Sequence, residues 1–93
     1  MTKKIKLSIF LPGRIFFESN VTNLIAPSSD RKIRILSGHC PLVSSFTKGS
    51  LSFALDNKPT VFDLTEGFIK IITDQQSETN VVVLCRTAVS AGE

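Results

Sequence analysis

Apolar and polar positions alternate with a period of two along almost the whole chain. Ile5, Leu7, Ile9 and Leu11 alternate with Lys4, Lys6, Ser8 and Phe10 until Pro12-Gly13, which predicts a strand closed by a turn. Ile15, Phe17 and Val21 continue the pattern, with Glu18 and Asn20 on the opposite face. A short run, Asn23–Ala26, ends at the turn composition Pro27-Ser28-Ser29-Asp30. Ile33 and Ile35 then alternate with Lys32 and Arg34 up to Gly38.

The second half repeats the theme. Leu42–Phe46 is broken at Lys48-Gly49, and Leu51, Phe53 and Leu55 lead to Asp56-Asn57-Lys58-Pro59, a hairpin turn by composition. Val61–Leu64 pairs back, and Glu66-Gly67 reads as another turn. Phe68–Ile72, a polar loop Thr73–Thr79 and the nearly continuous apolar run Val81–Leu84 follow; that run is expected at the centre of a sheet. About eight to ten short strands result, with no amphipathic helix, so the expected fold is all-β: a flattened antiparallel β-sandwich. The 93 residues form one domain spanning 1–93, with a core over about 4–87 and a tail, 88–93, that has lost the periodicity.

Composition changes this picture little. Seven Phe with no Trp or Tyr predict a core of Phe, Leu, Ile and Val. The net charge of +3 is spread between Lys3, Lys4, Lys6 and the cluster Arg31, Lys32, Arg34. Those cations define the second reading, a small basic β-barrel that binds nucleic acid, which exposed aromatics would have to accompany. The opening residues are not the continuous apolar core of a signal peptide, and no run approaches a membrane span. A soluble chain in a reducing compartment is expected, with any membrane association made through a partner.

Candidate chemistry gathers in one place, Gly38-His39-Cys40-Pro41, which holds the single His and one of two Cys. Adjacent residues of an extended segment point to opposite faces, so His39 and Cys40 diverge and make a poor catalytic dyad. Cys40 is also held extended by Pro41. A zinc site needs about four ligands, and His39, Cys40 and Cys85 are only three candidates. The corner reads as structural, both cysteines as small buried thiols, and no phosphate-cradling glycine motif occurs. No catalytic residue, cofactor site or metal site is expected.

The order of the motifs is more specific than any one of them. "ILSGHCPL" at 35–42, "KGSL" at 48–51, "EGFIKI" at 66–71 and "VVLCRTA" at 82–88 resemble, in sequence and spacing, the epsilon subunit of F-type ATP synthases. The resemblance runs over about residues 4–89. It implies a non-catalytic subunit of the central stalk in a proton-translocating synthase, which links gamma to the c-ring so that torque from proton transport drives ATP synthesis. It places Arg31 and Lys32 at the c-ring and His39, Leu42 and Ser44 at gamma. It also implies a peripheral protein on the cytoplasmic face of a bacterial plasma membrane or the stromal face of a thylakoid.

The chain departs from that pattern at several positions. No glycine occurs in 29–34; Arg34 stands where the family has Gly, and Lys32 where it is often acidic. Ser37 replaces a Pro, and Arg86 an Asp. Family members continue into a C-terminal helical hairpin that can restrain hydrolysis and, in some, bind ATP. With the sequence stopping at Glu93, the expectation is coupling without that inhibition and without ATP binding.

Overall fold

The computed structural model describes residues 5–28, 31–36, 41–73 and 78–90. These form six strands: β1 (Ile5–Leu11), β2 (Arg14–Ser28), β3 (Arg31–Ile35), β4 (Leu42–Leu55), β5 (Lys58–Thr73) and β6 (Thr79–Ser90). The strand order is β1-β6-β5-β4-β2-β3, and β1 also pairs with β2, so five strands close on themselves while β3 hangs from β2. The result is all-β, a β-sandwich as expected, with extents of 32 × 27 × 27 Å rather than a flattened shape. One pairing is not antiparallel: β1 runs parallel to β6, with Ile9 beside Val83. Both strands lie side by side in the closed layer, a contact between the two ends of the chain that local periodicity cannot express.

The strands number six rather than eight to ten because the long ones bend without ending. In β5 the buried positions are Phe62 and Leu64, then Ile69 and Ile71. The parity of the buried residue switches between them, at Glu66-Gly67, where Glu66 has φ 45°. β4 switches likewise, from Phe46 to Leu51 and Phe53, around Lys48-Gly49. β2 switches from Val21 to Leu24 and Ala26 across Asn23, which has φ 54°. A strand that passes from one layer to the other must turn a different face inward, and a single irregular residue accomplishes this. Each switch looks like a break in the sequence, yet the ladder continues on either side of it.

The two interior glycines are there for close approach. A Cβ on Gly67 would lie 2.0 Å from the Leu84 carbonyl oxygen, and one on Gly49 would lie 2.4 Å from Pro27 Cβ. The true turns are the tight ones: Gly13 has φ 82° after Pro12, and Asp56 and Asn57 both have positive φ, at 51° and 66°. The latter pair suits a two-residue hairpin that follows the right-handed twist of its strands. β6 also outlasts its apparent end: Ala88, Val89 and Ser90 pair with Leu64, Asp63 and Phe62. The loss of alternation after Thr87 is another change of face, from buried Cys85 to half-buried Ala88.

Leu7, Ile9, Val21, Leu24, Leu51, Leu64, Ile69, Val81 and Val83 are fully enclosed. Each such aliphatic side chain contributes about 1.5–3 kcal/mol of transfer free energy. Four of the Phe residues, Phe16, Phe17, Phe53 and Phe62, form a cluster with centroids 5.1–5.6 Å apart in edge-on or tilted geometry. Such pairs add about 0.5–1.5 kcal/mol beyond area burial. Ser28, also buried, is satisfied by a 2.5 Å hydrogen bond with the Ser44 hydroxyl.

Candidate interaction surfaces

The wall made by β1, β6, β5 and β4 carries apolar residues on both sides. Its inner side carries Leu7, Ile9, Val81, Val83, Ile69 and Ile71, all at or near zero exposure. On its outer side the registers set Phe10 beside Leu84, Leu84 beside Phe68, and Val82 beside Lys70, which faces Val43 on β4. Val43 is 66% exposed, Phe68 55% and Leu84 51%. A shallow groove of about 580 Å³ crosses this side, lined by Phe10, Leu11, Pro12, Gly67, Phe68 and Leu84. At one end it is lined by an exposed Arg86–Glu66 pair at 3.3 Å. Exposed apolar side chains with charged groups among and around them have the composition of a protein-binding face.

Cys85 lies beneath the groove. It is a free, buried thiol whose Sγ is 4.0 Å from the Phe10 carbonyl oxygen, and burial pushes its pKa above the usual thiol range. A raised pKa leaves the thiol protonated and unreactive at neutral pH. Among the described residues no three His, Cys, Asp or Glu side chains converge in a way that could hold a metal ion. No helix among them is long and apolar enough to cross a membrane.

The second surface is β3. Arg31 and Lys32 belong to this strand: Ser28 faces Arg31, Pro27 faces Lys32 and Ile25 faces Arg34. Lys32 and Arg34 are exposed, Ile33 is half-buried and Ile35 fully buried. Among the described residues β3 has β2 as its only strand neighbour.

The residues expected at gamma are divided by the fold. His39, with its neighbour Cys40, lies outside the described residues. Leu42 and Ser44 are half-buried on the same side of β4 as Phe46, and Ser44 is held by Ser28. Between them Val43 faces outward beside Lys70. Phe10, Val43, Phe68 and Leu84 had no part in the sequence-based site, although one signal pointed to them. Apolar residues occupy both phases of Phe68–Ile72 and Val81–Leu84, and a strand needs only one apolar phase to face its own core.

Residues 4–91 match the family model described as the β-sandwich domain of the ATP synthase delta/epsilon chain. The chain belongs to that family. It is 31% identical over its full length to the ATP synthase epsilon chain of Carboxydothermus hydrogenoformans, of which it covers 65%. It is 34% identical to the epsilon chain of Chlorobium limicola over 74% of its own length and 80% of that chain. It is 35% identical to that of Ruminiclostridium cellulolyticum over 88% of its length and 58% of that relative. Its fold superposes, with a TM-score of 0.82 at 16% identity, on a chain in a structure of the Euglena gracilis mitochondrial ATP synthase containing OSCP, F1 and the c-ring, covering 97% of this chain and 55% of that one. The chain thus spans about half to four-fifths of the length of the relatives it matches.

Proposed function

We propose that this epsilon-family sandwich is a non-catalytic part of the central stalk of an F-type ATP synthase, joining gamma to the proton-driven c-ring. The observation that carries the reading, within a chain of this family, is the outer apolar face around Phe68 and Leu84. A rotating coupling element must hold its partner through many cycles at cellular ionic strength, and apolar burial does this without dependence on salt. In this reading gamma covers Val43, Phe68, Leu84 and Phe10, with Leu42 and Ser44 at one margin, and His39 is a further gamma contact. Arg31 and Lys32, at the start of β3, then stand at the ring end. The chain has no chemistry of its own and reaches the membrane through the complex. That places it on the cytoplasmic face of a bacterial plasma membrane or the stromal face of a thylakoid.

Nucleic-acid binding has less support, since the exposed aromatic Phe68 shares its face with Leu84 and Val43 rather than with the cations of β3. The test is co-purification with a cognate gamma subunit in about 0.5 M salt, where the screening length is about 4 Å. The chain should be retained and a Phe68→Asp variant lost. Failure of the unaltered chain to bind gamma at any salt concentration overturns the proposal.

A further inference from the structure

We infer that β3 is a docking edge for an extended, acid-bearing polypeptide segment, which it takes up by strand addition. The inference rests on β3 lying at the partner-facing end in the reading above, and it names the chemistry of the partner there. Its main support is Pro27. Proline has no N–H, so the Pro27–Lys32 position is a non-hydrogen-bonded pair of the antiparallel β2–β3 ladder. The ladder bonds therefore pass through the neighbouring pairs, Ala26–Ile33 and Ser28–Arg31. By alternation, the N–H and C=O groups of Lys32 and Arg34 point away from β2, along the outer edge of the sheet.

Those same two residues carry the exposed charge. Lys32 and Arg34 are two apart and share one face, and neither has a carboxylate partner among the described residues. A strand added along this edge would pair its main chain with Lys32 and Arg34. The residues directly opposite them on the same face would sit within about 5.5 Å Cα to Cα. Carboxylates at those alternate positions satisfy both cations, while the residues between them lie on the face of Ile33 and Ile35. The fitting segment reads acidic–apolar–acidic. A basic segment is rejected by the two cations that attract the acidic one. Lysine on an edge strand also guards against indiscriminate self-pairing, so charge selects which strands this edge accepts.

The test uses a blocked hexapeptide of alternating glutamate and valine as the probe, with an alternating lysine and valine peptide as control. Amide hydrogen exchange is followed residue by residue. Without peptide, the Lys32 and Arg34 amides should exchange fast and the Ile33 amide slowly. Saturating acidic peptide should slow Lys32 and Arg34 by about tenfold or more, and the basic peptide should not. The double variant K32E/R34E should reverse the preference. Arg34→Pro removes an outward N–H together with the guanidinium, so Arg34→Ala, which loses the charge alone, is its control: the proline variant should abolish protection at Lys32 and the alanine variant only weaken it, both leaving the melting temperature within a few degrees. Acidic peptide bound without slowing of those two amides, or no binding at millimolar concentration in low salt, overturns strand addition. Ring attachment is read separately, as proton-coupled ATP synthesis with the Lys32→Glu chain in the assembled complex, so either idea can fail while the other stands.

Discussion

The outer face of the β1-β6-β5-β4 wall and the edge of β3 are both exposed, yet each is suited to a different kind of contact. The first gathers Val43, Phe68 and Leu84 at the centre of a sheet whose main-chain bonds are already made. It can offer a partner only side-chain burial, which is non-directional and insensitive to salt. The second is a five-residue strand that, among the described residues, has one neighbouring strand and carries the exposed cations Lys32 and Arg34. It offers directed hydrogen bonds and charge, which select a partner more than they hold it. Each surface rests on a glycine at a bend: Gly67 beneath the groove, against Leu84, and Gly49 behind β3, against Pro27.

Breaking these supports gives the largest effects. Gly67→Ala places a methyl group 2.0 Å from the Leu84 carbonyl oxygen, and the β5–β6 ladder must move. A cost of about 3 kcal/mol is expected, seen as a drop of roughly 15 °C in melting temperature, together with loss of gamma binding. Gly49→Ala meets the rigid Pro27 ring and should cost about 1–3 kcal/mol, while loosening β3 more than the groove by hydrogen exchange. Equal loosening at both places would show that the two surfaces are not independently supported.

The next effect is on binding without folding. Phe68→Asp or Leu84→Asp should reduce gamma affinity by at least about tenfold at both low and high salt, with the melting temperature almost unchanged because the side chains already face water. Lys32→Glu should act in the opposite manner. It should weaken coupling of proton flow to ATP synthesis in membrane vesicles by a few-fold, most clearly at low ionic strength, and leave gamma binding intact. Unchanged coupling would remove β3 from the ring end.

Cys85 sharpens the comparison through pH. Its pKa is raised by burial, so in the folded chain it keeps its proton when the unfolded chain, at about 8.5, begins to lose it. The unfolded state then binds fewer protons, and stability falls as pH rises above that value. Denaturant titrations between neutral pH and the alkaline range should show a decline that Cys85→Ser reduces. Smallest of all is Arg86→Ala. The 3.3 Å Arg86–Glu66 pair is exposed, and its loss should cost no more than about 0.5 kcal/mol.

Much of the fold was legible because a half-buried strand must alternate, and Ile5–Leu11, Leu51–Leu55 and the Asp56-Asn57 turn all obeyed that rule. The family was legible from the order and spacing of its motifs. What alternation conceals is continuity. At Asn23, Lys48-Gly49 and Glu66-Gly67 a strand changes its buried face and goes on, and a local reading takes each change for an end. The same limit hid which side of β4 each residue faces. Leu42 and Ser44 stood out in sequence, but the parity of β4 turns them towards Phe46 and Ser28 and leaves Val43 outside.

Sequence alone determined that this chain is an all-β member of its family, because strand periodicity, turn chemistry and motif spacing are properties of neighbouring residues. Tertiary structure decided which of two apolar faces meets the core, that β1 lies parallel to β6, and that Lys32 and Arg34 stand on the last strand of the sheet among the described residues. Those outcomes depend on pairings between residues far apart in the chain, such as Ile9 with Val83 and Pro27 with Lys32. A side chain's own neighbours in sequence do not specify the surface it faces once strands bend from one layer to the other.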